Sequence, residues 1–304
     1  MPTTPSMGWA SQFAVGVDTL GGGAPTVNER YEFVSCGIAK TGAHIETDGL
    51  RGTRSRISEN VSDNIFAVGG ELVCRPSALM LAAWLPRIFG GAVGAPTANT
   101  VNLKTPLPEF ALQVDKGGHV ALYRNCKVNR ATFRSGKGRH LELSMDIQGL
   151  TESIAAFPGG LSIVAGVPLM HHHATFTIGG VAREVEDYSL TISNALALDR
   201  YFNSKSRTQM PETDRVVGVT ATLPFSSVEV AAFYDKGVTP LVFIADYLTG
   251  VGAQQLTFTC PAVQIPVRGP GVGARTEILY PIEMHCRTVG ATMDSEVVAL
   301  IKTA

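Results

Sequence analysis

Alternation of apolar and polar positions dominates the chain. In HLELSMDIQG, Leu141, Leu143, Met145 and Ile147 fall on one side, and Glu142, Ser144, Asp146 and Gln148 on the other. A two-residue period of this kind predicts a strand with one buried face. YSLTISN repeats it, with Tyr188, Leu190 and Ile192 opposed to Ser189, Thr191 and Ser193. VVGVTATLPF groups Val217, Val219, Ala221 and Leu223. FAVGGELVC groups Phe66, Val68 and Leu72, with Gly69 and Gly70 marking an expected bulge.

Helical spacing is rare. SALMLAAWLPRIFGG predicts one helix, with Ser77 as N-cap, Pro86 near its end and Gly90 as its stop. SSVEVAAFYDKG predicts a second, opening at Ser226 or Ser227 and closing at Gly237. A shorter helix is expected at DSEVVALIK, near the end of the sequence. The apolar positions of the two longer helices read as core stripes. Gly90 to Phe110 is rich in Gly, Pro and Thr and reads as a long loop. Phe157 to His173 reads as the link between two halves. The segment DGLRGTRSR, Asp48 to Arg56, joins two strands and carries three arginines in six residues.

The two halves match each other in order. Ser55-Arg56 and Ser206-Arg207 are each followed, seven residues after the arginine, by an aspartate (Asp63 and Asp214) and then by an alternating strand. A helix follows, carrying AAW (Ala82 to Trp84) in the first half and AAF (Ala231 to Phe233) in the second. NCKV (Asn125 to Val128) then corresponds to TCPAV (Thr259 to Val263). FRSGKGRHLELSMDI (Phe133 to Ile147) corresponds to VRGPGVGARTEILYPI (Val267 to Ile282), with Glu142 and Glu277 early on the polar faces. One unit therefore reads as strand, long polar loop, strand, helix and a hairpin of strands. The second unit lacks most of the Gly90–Phe110 insertion. The expected fold class is mainly β, with two tandem units, each a β-sandwich or partial barrel with one flanking α-helix. The expected boundaries are 1–156 for the first unit with an N-terminal arm, 157–174 for the linker and 175–304 for the second unit.

ASQFAVGVDTLGGGAPTVNERYEFVSCGIA (Ala10 to Ala39), followed by GLRGTRSR, resembles the opening of tailed-phage tail tube proteins. The features that carry the resemblance are Gly16 to Thr19, the turn Leu20 to Thr26, the aromatic strand at Tyr31 to Phe33, and Gly49 to Arg51. The order of strands with one helix per unit is also similar to that family. The resemblance spans nearly the whole chain, and this chain departs from the single-unit form by carrying two units. It implies a structural subunit of a long, siphophage-type tail, assembled in the host cytoplasm. Homo-oligomeric rings would stack into a hollow tube that conducts DNA during ejection without binding it specifically. It further implies contacts with the tape measure, terminator and distal tail proteins. Single-unit members form rings of six, so three doubled chains would supply the same six units. A ring of six doubled chains, with the second unit as outer decoration, is the competing arrangement. Polar loops of such proteins bridge stacked rings, which makes Arg51, Arg54, Arg56, Arg207 and Asp214 candidate inter-ring contacts. Arginine's planar fork suits carboxylates of the next ring. A tube that conducts DNA should not hold it, which makes Glu142, Asp146, Glu277 and Glu283 candidates for its lining.

Composition agrees with this reading. Among 304 residues, Lys and Arg number 25 against 26 Asp and Glu, a formal net charge of −1. A dedicated nucleic-acid binder carries a basic surplus, and this chain does not. At 45% hydrophobic and 17% charged residues, a packed core is expected, together with burial against copies of the same chain. No apolar run reaches the length of a membrane span, and MPTTPSMGWASQ lacks the regions of a secretory signal. The five cysteines are scattered, with no CxxC, and are expected to be free thiols.

The remaining motifs do not assemble an active site. His171 and His173 in MHHHATF alternate as two ligands would, but no Cys, Asp or Glu lies close enough in sequence to complete a metal site. GGAVGAP and GPGVG lack the Lys-Ser/Thr of a phosphate-binding loop. GGLSIVAG lacks the glycine that a nucleophile elbow needs after Ser162. EVED (Glu184 to Asp187) is a carboxylate cluster without further support. No catalytic residue, cofactor or metal is expected, and the chain is not expected to be an enzyme. The second functional reading is a β-sandwich adaptor of a phage neck, tail tip or secretion tube.

Overall fold

The structure is a computed structural model. It describes residues 8–46, 55, 58–90, 98–226, 228, 230–234, 238–249, 254–267, 269–271, 277–290 and 294–303. In the first half the strands are β1 (Gln12–Val17), β2 (Thr26–Tyr31), β3 (Ser35–Cys36), β4 (Ala39–Glu46) and β5 (Val61–Cys74). Helix α1 (Ala78–Phe89) precedes β6 (Ala98–Asn102), β7 (Phe110–Asp115), β8 (Val120–Gly136), β9 (Glu142–Gly149) and β10 (Thr151–Ile154). In the second half they are β11 (Ala174–Ile178), β12 (Val181–Arg183), β13 (Asp187–Ser193) and β14 (Val216–Pro224). A π-helical turn (Val230–Tyr234) follows, then β15 (Leu241–Leu248), β16 (Gln255–Gln264), β17 (Leu279–Arg287) and β18 (Val298–Lys302). The chain is mainly β, as the alternation predicts.

Helix α1 has the predicted limits. The Ser77 side chain accepts from Met80 N, and Gly90 closes the helix at a φ of 92° with its N–H on Pro86 O. Trp84, Leu85, Ile88 and Phe89 are fully buried, and each such side chain contributes roughly 1.5–3 kcal/mol. The second helix is much shorter among the described residues, where it is a single turn around the buried Phe233. The helix expected at DSEVVALIK is not formed, because that segment is strand β18. Val297, Ala299 and Ile301 are buried, and β18 lies between β16 and β6, so both of its edges are hydrogen-bonded. The Gly90–Phe110 loop contributes β6 to that pairing. The expected bulge at Gly69–Gly70 is instead a close approach. Gly70 has a φ of 153°, and a Cβ there would lie 2.4 Å from Gly37 O.

All strand pairings are antiparallel, and one chain of pairings occurs twice. In the first half β4 pairs β5, β5 pairs β9, β9 pairs β8, β8 pairs β7, β7 pairs β1, β1 pairs β2, and β8 also pairs β10. In the second half β13 pairs β14, β14 pairs β17, β17 pairs β16, β16 pairs β15, β15 pairs β11, β11 pairs β12, and β16 also pairs β18. The register irregularities coincide too. Phe110 and Leu112 face Cys126 and Tyr123 across a shift, and Leu241 and Phe243 face Val263 and Cys260 across a shift of the same size.

One long strand joins the halves. The first part of β8 belongs to an outer sheet with β7 and β10. Its last part, Arg130 to Gly136, pairs with all of β13. The result is a continuous inner sheet in the order β4, β5, β9, β8, β13, β14, β17, with β3 extending the β4 edge. Its apolar face carries Leu72, Leu143, Met145, Phe133, Leu190, Val219 and Met284, all buried against the outer layer. Phe133 meets Phe258 of β16 with ring centroids 4.8 Å apart. The connection 157–173 is pinned across the first half by Val164 N to Arg30 O, Leu169 N to Pro76 O and Leu141 N to Leu169 O.

The turn of β8 between the two sheets is held by one carboxylate. Asn125 has a φ of 50°, a left-handed conformation that Asn tolerates better than most residues. Asp18, just after β1, accepts from Asn125 N at 2.9 Å, from Arg124 Nη2 at 2.8 Å and Nε at 3.2 Å, and from Thr19 N at 2.9 Å. Burial alone would push the Asp18 carboxyl up, but Arg124 and the two backbone N–H groups outweigh it and hold it below its ordinary value. The unfolded chain therefore takes up this proton first. The stabilisation is present above about pH 4 and is lost as pH falls through the folded pKa. Asp18→Asn should cost on the order of 2 kcal/mol at pH 7 and should show less loss of stability on acidification than the parent. Denaturant unfolding at pH 7 and pH 3 measures both; coincident curves at pH 7 would refute the clamp.

Candidate functional site

The polar face of the inner sheet is a continuous polar surface organised by the strand registers. Directly opposed residues share a face, so the registers define rows across the sheet. One row runs Glu142, Arg134, Ser189, Thr220, Glu283 over β9, β8, β13, β14 and β17. The next runs Val73, Ser144, Thr132, Thr191, Gly218, His285, starting on β5. A third runs Glu71, Asp146, Arg130, Ser193, Val216. The face holds two open depressions of about 570 and 660 Å³.

Three of the four acids expected to line a conduit, Glu142, Asp146 and Glu283, thus lie on one face. The rows add what the spacing along one strand hides: arginines stand opposite the acids. Asp146 is half-buried and accepts from Asn129 Nδ2 at 2.6 Å and from Gln148 Nε2 at 2.7 Å. Ser144 donates to Glu71, and Thr132 lies 3.3 Å from Thr191 across the junction of the halves. Glu277 is exposed, two residues before β17 and outside any strand. The chemistry of this face is that of short hydroxyls with charges of both signs, and the first depression is lined by Arg75, Arg134, Arg139 and His140 as well as by Glu142 and Asp187.

The expected loop contacts divide. Strands alternate in direction across the sheet, so the β4–β5 and β13–β14 connections emerge at the same end. Arg51, Arg54 and Arg56 lie outside the described residues. Asp214 is exposed just before β14. Arg207 is 8% exposed and is tied within its own chain. Its Nε donates to Leu198 O at 3.0 Å, and its Nη1 to Gln148 Oε1 at 3.0 Å and Val68 O at 3.3 Å. Phe66 N also donates to Lys205 O, and Lys205 Nζ is 3.2 Å from Asp63. The β13–β14 connection is thereby fastened onto the first half at the ends of β5 and β9. Sequence alone did not reveal this burial, because an arginine in a polar loop carries no mark of where the loop lands.

The histidine run also acts as a fastener. Nε2 of His171 is 2.8 Å from Val185 O, which places its proton on that nitrogen. Nδ1 then accepts from Ser135 Oγ at 3.0 Å, and Ser135 in turn accepts from Tyr247 OH at 2.7 Å. Among the described residues no three His, Cys, Asp or Glu side chains gather as a metal site would need, and no helix is long and apolar enough to cross a membrane. All five cysteines are free thiols, and burial pushes Cys74 and Cys126 well above the usual thiol range.

No curated protein matches the chain. The family model for the phage tail tube protein matches residues 8–285, which takes in both halves, the inner sheet and both loop connections. A match over most of the chain, on a mainly β fold with an open-edged polar sheet, shows that the chain belongs to the phage tail tube protein family and is a structural subunit of a phage tail tube.

Proposed function

We propose that the chain is two tube units in tandem, 1–156 and 175–304 joined by 157–174, and that three copies close into one ring of six units. The observation that carries this is the twofold occurrence of one pairing scheme, with both units contributing strands to the same inner sheet. Their junction, β8 against β13, is a ready pattern for the junction between copies. The sheet ends in β3 and β4 on one side and in β17 on the other. Edges of this kind expose unpaired N–H and C=O groups and recruit further strands. In the ring, β17 of one copy meets β3 and β4 of the next through the end of β16, as β9 meets β13 through β8. β16 stops at Gln264, where it pairs with β17 through Ala262–Gln264, whereas β8 continues to Gly136. The alternative ring, six chains with the second unit as outer decoration, fits less well, because β13, β14 and β17 continue the first unit's inner sheet.

Rings stacked end to end form the hollow path for DNA, with the tape measure, terminator and distal tail proteins as its partners in the tail. The three rows of the polar face line this path. Glu142, Asp146, Glu277 and Glu283 contribute repulsion, and Arg130 and Arg134 are balanced by acids directly opposite. The loop end of one ring meets the turn end of the next, with Arg51, Arg54 and Asp214 among the contacts. Arg207 acts as the brace that fixes one of these loops.

Purified protein viewed by negative-stain microscopy should show rings or tubes with threefold modulated, sixfold-like averages and a hole on the order of 20–40 Å, wide enough for a duplex. A strictly monomeric species at high concentration would rule out the tube and leave the adaptor reading. Replacing Glu142 and Glu283 by lysine should leave tubes intact but make them retain duplex DNA, with retention falling steeply as salt rises. Tubes that stay indifferent to DNA after the change would mean that another surface faces the hole.

A further inference from the structure

We infer that an arginine-lined depression at one end of the inner sheet receives Asp214 of a second copy, in the next ring of the stack. This inference rests on the tube reading above. The first depression of the polar face is lined by Arg75, Arg134 and Arg139, together with the carboxylates of Glu142 and Asp187. None of the three guanidinium groups has an ion pair or a hydrogen bond among the described residues, although both acids line the same depression. Three cations against two anions leave one positive charge over. His140 lines the depression too, and its Nδ1 is buried with no hydrogen-bond partner. A buried polar atom in that condition is costly unless a partner reaches it. The feature occurs once per chain among the described residues. The registers place Pro224 where the first unit has Arg75, and Leu279 where it has Glu142.

The occupant is identified by elimination and by position. Gly136 pairs with Asp187 and Asp187 with Thr222, so the depression lies at the end of the sheet where β14 finishes. Near the opposite end, where β14 begins, several acids are already engaged. Asp63 is held by Lys205 and His44, Glu212 by Lys127, and Asp294 by Arg215. Asp199 and Asp214, in the β13–β14 connection, are exposed and have no side-chain partner among the described residues. Of the two, Asp214 stands on a strand of the depression. It lies two residues before Val216 and continues the polar-face alternation Val216, Gly218, Thr220, Thr222, whose last two members line the depression. Eight residues of strand, roughly 27 Å, separate Asp214 from Thr222. Copies stacked in line and in one orientation, a strand length apart, bring Asp214 of one over the depression of the next. The carboxylate then meets the exposed Arg75 and Arg139, whose planar forks suit it.

The test is assembly of the full chain, followed by sedimentation and negative-stain microscopy. R75E/R139E and D214R should each unfold at the parent's temperature and form rings. Each should need at least about tenfold more protein than the parent to form tubes, because like charges then meet. The triple variant R75E/R139E/D214R, with the charges exchanged, should form tubes near the parent's concentration. Tubes from both reversal variants at the parent's concentration would overturn the inference and leave the tube reading intact. A triple variant no better than the reversals would overturn it in the same way. A parent chain that forms neither rings nor tubes would remove the tube reading and the inference together.

Discussion

The structure depends on the need of strand edges for partners. Each inner strand must pair its backbone groups on both sides, and among the described residues a sheet of seven strands meets most of that need internally, leaving its two end strands open on one side. Within the chain, the problem at the end of the first unit is solved by covalent continuity: β8 runs out of the outer sheet, turns at Asn125 under the hold of Asp18, and supplies the strand against which β13 pairs. That arrangement turns what would be an interface between separate subunits into part of one core. Among the described residues the same need is left open at β3, β4 and the first part of β17, and open edges are what a self-closing ring requires.

The two faces of the inner sheet divide the labour. The apolar face fixes the register, because a slip of one residue would expose every buried side chain at once. The polar face is thereby held in rows whose composition suits passage of a polyanion. Short hydroxyl side chains such as Thr132, Thr191, Ser189 and Thr220 cannot wrap a phosphate. The arginines that could do so, Arg130 and Arg134, stand opposite Asp146 and Glu142. A carboxylate on the neighbouring strand offsets part of the attraction of each guanidinium for a phosphate.

Much of this was legible in the sequence. The two-residue period located β9, β13 and β14, and Ser77 and Gly90 located α1. The ordered recurrence of short motifs points to two like halves, and the pairings of β5, β9 and β8 recur in β14, β17 and β16, in a register that sets Glu142 against Leu279 and not against Glu277. What escaped has a common cause. VVALI in β18 is apolar on consecutive positions, with Ala299 and Ile301 buried on one face and Val298 and Leu300 partly buried on the other, so its period is hidden and it reads as a helix. β6 escaped because it is five residues long inside a loop of Gly, Pro and Thr. Arg207 reads in the sequence as a candidate inter-ring contact, and the register that brings its loop onto Val68 and Gln148 is set by strand pairing far away along the chain. Partner choice between distant strands leaves no trace in local spacing.

Doubling the unit within one chain also permits the copies to differ. The Gly90–Phe110 segment occurs once per chain, and its β6 seals the outer edge of β18 in the other unit. The corresponding strand β10 pairs only with β8 among the described residues, and its Ile154 is 79% exposed. A ring of six identical units would have to carry such a segment six times or not at all. With two units in one chain, the inner strands can repeat one pairing scheme while the outer layer differs between the units. The pairing order of β5, β9 and β8 recurs in β14, β17 and β16, while the run of β8 from Arg130 to Gly136 and the strand β6 occur once among the described residues; the halves thus differ where a strand of one continues into the other.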